Sequence, residues 1–298
     1  MSDETTRRGF LGESARMGAA AAALSAAGSF AGEKQAAPPQ PHKMPTIKLG
    51  GLEVSRLILG SNPFFGFSHG NPQASGDEMR TFYTPERIMA VLDAAADHGI
   101  TAVWTPCYDH WIRTWNEYRQ KGGKLKVWIG QPDSFDGMKD HITACAKNGG
   151  KAVCMQGECT GRAIRAGQFD LVKGWLDHAK GLGLPAGLAS HRPEEILAAE
   201  KQGLPAQWYH LTVGIPDSYH QKDRDKALET IHRLDKPVVA FKTLGAGRFP
   251  PRDAFRYLFK RLRRKDGLCV GVLPRKRDEI AENAALVAKL TQDAAVNA

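Results

Sequence analysis

The sequence predicts an α/β fold, a (β/α)8 TIM barrel, in which eight parallel strands alternate with eight helices. From residue 56 onward, short β-branched runs alternate with amphipathic stretches, eight of each. A barrel of this kind takes about 250 residues, which matches the length available after the polar N-terminal region. A doubly wound sheet fits less well, because no Gly-x-Gly-x-x-Gly motif follows the first predicted strand.

The predicted strands are runs rich in β-branched residues, which favour extended backbone. In chain order they are Arg56–Ser61, Thr101–Thr105, Lys126–Gly130, Ala152–Gln156, Ala186–Ala189, Trp208–Val213, Pro237–Lys242 and Leu268–Leu273. The predicted helices lie between and after them, and Thr84-Pro85-Glu86 gives the first a cap, a first-turn proline and an acid. They are Pro85–His98, Trp111–Lys121, Phe135–Lys147, Gln168–Gly181, Pro193–Lys201, Asp223–Leu234, Arg252–Arg264 and Asp278–Leu290.

Residues 1–31 predict a twin-arginine export signal. Arg7-Arg8-Gly9-Phe10-Leu11 is followed by a weakly apolar run from Met17 to Ala27 and by the small-residue exit Ser29-Phe30-Ala31. This is the layout of such a signal, although a tail that merely contains an arginine pair is the alternative. The apolar run is too short to span a bilayer. We therefore expect the twin-arginine machinery to export a soluble periplasmic or extracellular protein without a permanent membrane anchor.

The remaining chain predicts one large domain. Residues 32–43 are polar and Pro-rich and predict a flexible linker, residues 44–290 the barrel, and residues 291–298 a tail. The formal charge is +9, with basic runs at 260–265 and 275–277. For an exported protein this excess does not indicate a nucleic-acid partner. The first run is predicted to be the solvated end of a helix, where cations suit the helix dipole.

The five cysteines do not predict a disulfide framework. Five is an odd number, so at least one thiol has no partner within the chain. Cys107, Cys154 and Cys269 lie in or beside predicted strands, where a buried cysteine acts as a small hydrophobe. The short spacing of Cys154 and Cys159 leaves a disulfide or a metal site open.

Five segments, in the right order, resemble the aldo/keto reductase superfamily over nearly the whole chain after the linker. They are Leu49–Gly60, His98–Thr101, Gly187–Ile196, Phe241–Gly247 and Glu282-Asn283, which are similar to the family's first hairpin and strand, second strand, fifth strand with its helix, seventh strand with its Leu-Gly-x-Gly turn, and C-terminal nicotinamide-dinucleotide clamp. The resemblance implies an aldo/keto reductase-like oxidoreductase with NADP or NAD as cofactor. It implies cofactor-binding roles for Ser190, Leu244, Arg275, Arg277, Glu282 and Asn283.

The family's catalytic Asp, Tyr, Lys and His do not carry over. Aligning on Gly99-Ile100 places Trp104 at the Asp position, Tyr108 or Asp109 near the Tyr, Gln131 at the Lys, and Gln156 or Gly157 at the His. Without the neighbouring Lys and Asp, Tyr108 is expected to titrate near its reference pKa of about 10. Arg275, Lys276 and Arg277 suit a 2′-phosphate, because guanidinium forks match phosphate oxygens, or else they begin a surface helix.

The carboxyl ends of the predicted strands supply other candidates, since barrel enzymes take their catalytic groups from there. Lys242 ends an apolar strand, so burial is expected to lower its pKa and suit it to act as a general base or an imine-forming amine. Its alternative is an ion pair with Glu158 or another carboxylate. The predicted catalytic residues are Tyr108, His110, Glu158 and Lys242.

Two further interpretations concern a metal and a sugar. Glu158, Asp109, His110 and His191 are ligand types that suit a divalent metal, although no short spacing motif supports a metal site. Trp111 and Trp115 are one helical turn apart, so they either pack in the core or present a stacking face for a sugar.

The sequence thus leaves three functions open. The first is an exported NADP- or NAD-dependent oxidoreductase that acts on a carbonyl or sugar-type small molecule through a divergent site. The second is a cofactor-free or metal-assisted lyase, isomerase or hydrolase on the same barrel. The third is a non-catalytic protein that binds a small ligand. We favour the first, because the resemblance covers the cofactor clamp as well as the barrel.

Overall fold

A computed structural model describes residues 43–213 and 224–296. The predicted export signal and the linker as far as residue 42 lie outside these residues, as does Asp223, the predicted first residue of a helix. No helix in the described part of the chain is both long enough and apolar enough to cross a membrane.

A two-stranded antiparallel hairpin precedes the barrel. It consists of β1 (Thr46–Leu49) and β2 (Leu52–Ser55), with Ile47 opposite Val54. Gly50 and Gly51 form its turn at φ values of 59° and 88°, which residues with side chains adopt only at a cost. Ile47 and Val54 are buried and pack with residues of the barrel interior.

Eight parallel strands then close into a barrel, which confirms the predicted fold class. They are β3 (Leu57–Gly60), β4 (Ala102–Pro106), β5 (Val127–Gln131), β6 (Ala152–Met155), β7 (Ala186–Ser190), β8 (Tyr209–Thr212), β9 (Val238–Phe241) and β10 (Gly267–Gly271). Neighbours pair in sequence order, and β10 closes the ring between β9 and β3. Each strand lies within two residues of its predicted position.

The described helices are α1 (Gly76–Phe82), α2 (Pro85–Asp97), α3 (Asp109–Gln120), α4 (Met138–Lys147), α5 (Gly157–Arg165), α6 (Phe169–Gly181), α7 (Pro193–Lys201), α8 (Arg224–Arg233), α9 (Pro251–Phe259) and α10 (Glu279–Val296). Helices α1 and α5 were not predicted. Helix α5 begins directly after β6, where the Gln156 side chain accepts the backbone N–H groups of Glu158 and Cys159 at 2.8 and 2.9 Å.

Two predicted helix ends are wrong. Helix α9 ends at Phe259, so the basic run 260–265 follows the helix instead of forming its last turn. Arg263 in that run pairs with the buried carboxylate of Asp266, three residues further along the chain, with Nε 2.8 Å from Oδ2. Helix α10 continues to Val296, into the stretch predicted as a tail.

The core has two layers, inside the barrel and between the barrel and its helices. Ile58, Cys154 and Val239 are fully buried in the inner layer, and Val91, Trp128 and Leu211 are among the buried members of the outer one. All five thiols are buried and free of disulfides, so Cys154 and Cys159 are not joined. The strand ends at one edge of this packed ring carry the site described next.

Candidate functional site

A cavity of about 550 Å³ opens at the carboxyl ends of the barrel strands. Its lining comes mainly from the segments that follow β3, β9 and β10. These strands are neighbours, and the end of β3 lies against the end of β10: a Cβ added to Gly60 would stand 2.9 Å from the backbone nitrogen of Gly271. The absence of a side chain at Gly60 therefore permits this close approach of the two strand ends.

Lys242 projects into the cavity directly after β9. Its Nζ lies 3.2 Å from Nε2 of His69, a residue 173 positions away in the chain. Burial lowers the pKa of Lys242 to about 7, because the ammonium loses hydration that its surroundings replace only in part. This is the direction the sequence predicts. At neutral pH the side chain therefore occurs in both protonation states and is able to donate or accept a proton.

His69 is a neutral hydrogen-bond acceptor toward Lys242. The amide Nδ2 of Asn62 lies 3.1 Å from the same Nε2, and both neighbours are donors, so this nitrogen carries no proton. Burial lowers the pKa of His69 to about 4, and the charge of Lys242 lowers it further. The imidazole is thus unprotonated at Nε2 throughout the neutral range.

His191 stands near this pair on the segment after β7. Its Nδ1 lies 2.8 Å from the hydroxyl of Thr212. Burial, followed by the charges of Lys242 and His69, lowers its pKa to about 3. His191 is therefore neutral as well, and Lys242 is the member of this group that titrates near pH 7.

The loops that carry Lys242 and His69 adopt strained backbone. Among the described residues, three other than glycine have positive φ, namely His69 (48°), Lys242 (58°) and Ala246 (54°), and all three line the cavity. Each such conformation costs about 1–3 kcal/mol, and strain of this kind concentrates at functional sites.

Arg248 holds the two loops together. Its guanidinium donates to the carbonyl oxygens of His69 (3.4 Å), Gly70 (2.9 Å) and Gly245 (2.9 Å). Arg248 therefore fixes the backbone of His69 relative to the turn at 245–247, and this sets the reach of the imidazole toward Lys242.

Apolar rings form another part of the wall. Trp104 and Phe241 line the cavity with their rings 5.5 Å apart in an edge-to-face arrangement. His210 is fully buried against Trp104, with ring centroids 4.3 Å apart, and burial lowers its pKa to about 3. Trp104, at the position where the family's Asp is expected, thus supplies a flat apolar surface instead of a carboxylate.

The segment after β10 contributes charged and amide groups. Arg275, Lys276 and Arg277 line the cavity together with Glu279 and Asn283 from the first turns of α10. Three lining residues bury polar atoms that have no hydrogen-bond partner among the described residues, and two of these atoms are oxygens, Oδ1 of Asn283 and Oγ1 of Thr243; the third is Nε1 of Trp104. Buried polar atoms are normally paired, so these two oxygens suit a polar ligand in the cavity.

Of the four predicted catalytic residues, Lys242 alone lines the cavity. Tyr108 instead donates its hydroxyl to Oδ2 of Asp133 at 2.5 Å. Its pKa is raised well above 10, first by burial and then by Asp133, so the expectation of an ordinary tyrosine pKa is wrong. His110 is exposed and packs edge-on against Phe65. The structure does not bring either residue to Lys242.

Glu158 is also remote from the cavity lining. Its side chain is 62 % exposed and forms an ion pair with Nη2 of Arg165 at 2.6 Å, so the alternative ion pair between Glu158 and Lys242 is wrong. A buried carboxylate beside Lys242 would suit proton transfer, whereas the exposed carboxylate of Glu158, paired with Arg165, suits a surface role.

The predicted cofactor-binding residues divide into two groups. Leu244, Arg275, Arg277 and Asn283 line the cavity. Ser190 and Glu282 do not line it. The buried Ser190 hydroxyl donates to Oε2 of Glu195 at 2.6 Å, and Oε2 of Glu282 lies 3.5 Å from Nη1 of Arg277.

The predicted metal set and sugar platform do not form. No group of three or more histidine, cysteine or acidic side chains suited to a metal occurs in the described part of the chain. Trp111 and Trp115 are each 1 % exposed and stack on one another in the core, with centroids 5.7 Å apart. A sugar has no access to them.

Sequence reasoning missed Thr243, Arg248 and Glu279. Thr243 and Arg248 flank the Leu-Gly-x-Gly turn, so the turn signal itself pointed to their neighbourhood. Glu279 carried no motif of its own, and its place in the cavity follows only from where α10 begins.

The barrel resembles solved structures, while no protein-family model and no curated protein sequence matches the chain. A protein of Pseudomonas aeruginosa assigned to the aldo-keto reductases shares 18 % identity at a TM-score of 0.61, over 86 % of this chain and 99 % of that one. An aldo-keto reductase from Bacillus halodurans in its holo form shares 12 % identity at a TM-score of 0.56, over 84 % and 96 %. A thiamine phosphate pyrophosphorylase from Pyrococcus furiosus shares 13 % at 0.51, over 80 % and 95 %. At these identities the likeness establishes an aldo-keto reductase-like TIM barrel and leaves the chemistry to the site.

Proposed function

We propose that this protein is an exported oxidoreductase that uses NAD or NADP to interconvert a carbonyl and a hydroxyl group of a small molecule. Lys242 is the proton donor and acceptor of this reaction, in place of the tyrosine that the resemblance implies. The observation that carries the proposal is the contact between Lys242 Nζ and His69 Nε2 inside a cavity large enough for a small-molecule ligand.

Proton transfer by Lys242 follows from its surroundings. In the reducing direction, its ammonium form donates a proton to the carbonyl oxygen, and in the oxidising direction the neutral amine accepts the hydroxyl proton. A pKa of about 7 makes both forms available at neutral pH, which is the condition for efficient acid–base catalysis. His69 accepts a hydrogen bond from Lys242 and so fixes the direction of the amine.

The residues of the cavity fit a nicotinamide dinucleotide, which would supply or accept the hydride when bound. Asn283 and Thr243 offer buried polar atoms that have no partner among the described residues, and Arg275 and Lys276 offer cations to phosphate oxygens. The backbone N–H groups of Leu244 and Ala246 donate to no group among the described residues, and turns with left-handed residues such as this one form anion-binding concavities in other proteins.

Export by the twin-arginine machinery belongs to the same proposal. That route carries proteins already folded, often with a cofactor loaded, which suits a dinucleotide enzyme outside the cytoplasm. Arg7-Arg8-Gly9-Phe10-Leu11 and the apolar run after it support this part of the proposal.

The test begins with binding and proceeds to turnover. NADH and NADPH are titrated into the full-length chain, with tryptophan fluorescence as the readout, because Trp104 lines the cavity. We expect quenching at micromolar dinucleotide and loss of most of that quenching in Trp104→Phe. Oxidation of the bound dinucleotide is then followed with a panel of aldehydes, ketones and sugars.

Lys242→Met is compared with Lys180→Met on any substrate the panel yields. Removing the proton donor is expected to lower turnover by about 10²–10⁴-fold with little change in dinucleotide affinity. Lys180 is an exposed residue of α6 outside the cavity lining, and its loss is expected to change turnover by less than about threefold. No binding at millimolar dinucleotide, or equal effects of the two substitutions, would refute the proposal.

A further inference from the structure

We propose that Glu279 makes the cavity select NAD(H) over NADP(H), an inference that rests on the proposed function. Glu279 lies in the corner of the cavity formed by the segment after β10 and the start of α10, which also carries the cations Arg275, Lys276 and Arg277. Which ligand this corner binds depends on which of its charged side chains already have a partner of opposite charge.

Glu279 presents a fixed carboxylate to this corner. It is the first residue of α10, it lines the cavity, and its side chain is 19 % exposed. Its Oε2 accepts the backbone N–H of Leu273 at 2.7 Å. The carboxylate cannot turn away from the cavity without leaving that N–H unpaired, which costs more than a surface glutamate would lose by rotating.

The arginines of the corner already face carboxylates. Arg277 has its Nε 3.8 Å from Glu279 Oε1 and its Nη1 3.5 Å from Glu282 Oε2. Arg275 has its Nη1 3.5 Å from Oε1 of Glu78. Of the three carboxylates that these arginines face, Glu279 alone lines the cavity.

A ribose diol and a ribose phosphate differ in how they meet this arrangement. The 2′-hydroxyl of NAD(H) donates a hydrogen bond to a carboxylate, which is how acidic residues recognise this cofactor elsewhere. The 2′-phosphate of NADP(H) has only acceptor oxygens and a charge near −2, so it is repelled by Glu279 and must displace arginines from their partners. The basic sequence of 275–277 therefore does not amount to a site for the 2′-phosphate.

The test compares ADP-ribose with 2′-phospho-ADP-ribose, and NADH with NADPH, on the full-length chain by calorimetry at fixed ionic strength. The first pair lacks the nicotinamide, so the readout is independent of turnover. We expect the form without the 2′-phosphate to bind about tenfold more tightly, or better, in both pairs. The formal charge of +9 attracts the more highly charged ligand at long range, so a preference in this direction reports on the corner itself.

Glu279→Gln is paired with Glu282→Gln as its control. Glutamine keeps an oxygen for the Leu273 N–H, so the first variant removes the charge and preserves the contact. We expect it to reduce the preference about tenfold, whereas Glu282→Gln, which removes an equal charge outside the cavity lining, changes it by less than about threefold.

Each contrary result has its own meaning. Equal or tighter binding of the 2′-phosphorylated ligands overturns this inference and leaves the proposed function standing. Equal shifts in the two variants also overturn it, because the effect is then one of overall charge. Failure of all four ligands to bind overturns the proposed function, and this inference with it.

Discussion

Replacing Lys242 by methionine is expected to stabilise the fold while it abolishes the proposed chemistry. The ammonium of Lys242 is largely desolvated in the folded chain, and burial lowers its pKa from 10.5 to about 7. Since each pKa unit corresponds to about 1.4 kcal/mol, the folded state bears a cost of up to about 5 kcal/mol when this side chain must be charged. Methionine fills a similar volume with no charge to bury.

The pH dependence gives this prediction its sign. Between pH 7 and 10.5 the unfolded chain holds a proton on Lys242 that the folded chain has released, so the stability of the wild type rises with pH in this window. Relative to Lys242→Met, the gain is about 1.4 kcal/mol per pH unit. The variant is therefore most favoured at pH 7 and below, and its advantage disappears as the pH approaches 10.5.

Urea unfolding at pH 6, 7.5 and 9.5 measures the difference directly. We expect Lys242→Met to exceed the wild type by about 2–5 kcal/mol at pH 6 and by clearly less at pH 9.5. Lys276→Met, on an exposed side chain of the same cavity, should stay within about 0.5 kcal/mol of the wild type at each pH. A Lys242→Met variant that is no more stable at pH 6, or a difference that is flat with pH, would show that the ammonium is well solvated and would remove the basis for its role.

Two other substitutions test the site boundary and the packing. Tyr108→Phe removes the hydrogen bond to Asp133 outside the cavity lining, so we expect a loss of about 1 kcal/mol in urea unfolding and less than a threefold change in turnover; a hundredfold loss of turnover would place Tyr108 in the chemistry. In Gly187→Ala the new Cβ would stand 2.4 Å from Cε2 of the buried Trp208, so overpacking should cost about 1–3 kcal/mol, and an unchanged melting temperature would contradict the packing of the barrel interior.

The strands and most helices could be predicted because each is governed by local pattern. β-Branched runs mark the strands, and a cap with a first-turn proline marks α2. Helix α5 escaped prediction because it follows its strand without a polar loop, and the side chain of Gln156 caps it. The end of α9 was predicted wrongly because helix propensity does not register the ion pair between Arg263 and Asp266.

The candidate site was predictable in part. Lys242 could be identified because the end of an apolar barrel strand is both buried and near the mouth. Glu158 occupies an equivalent position in sequence, yet Arg165, two turns along α5, holds it at the surface. Distinguishing these two cases requires knowing which side chains surround each charge, and the sequence does not supply this.

The sequence by itself determined that the chain forms a (β/α)8 barrel, since alternating apolar runs and amphipathic helices leave few other ways to bury their apolar faces. Only the tertiary structure decided where the site lies and what it contains. Barrel closure hydrogen-bonds the first strand, β3, to the last, β10, with β9 beside it. This closure brings His69 to Lys242 across 173 positions and sets Glu279 among the arginines. Such contacts depend on the geometry of the closed barrel, which no local sequence pattern encodes.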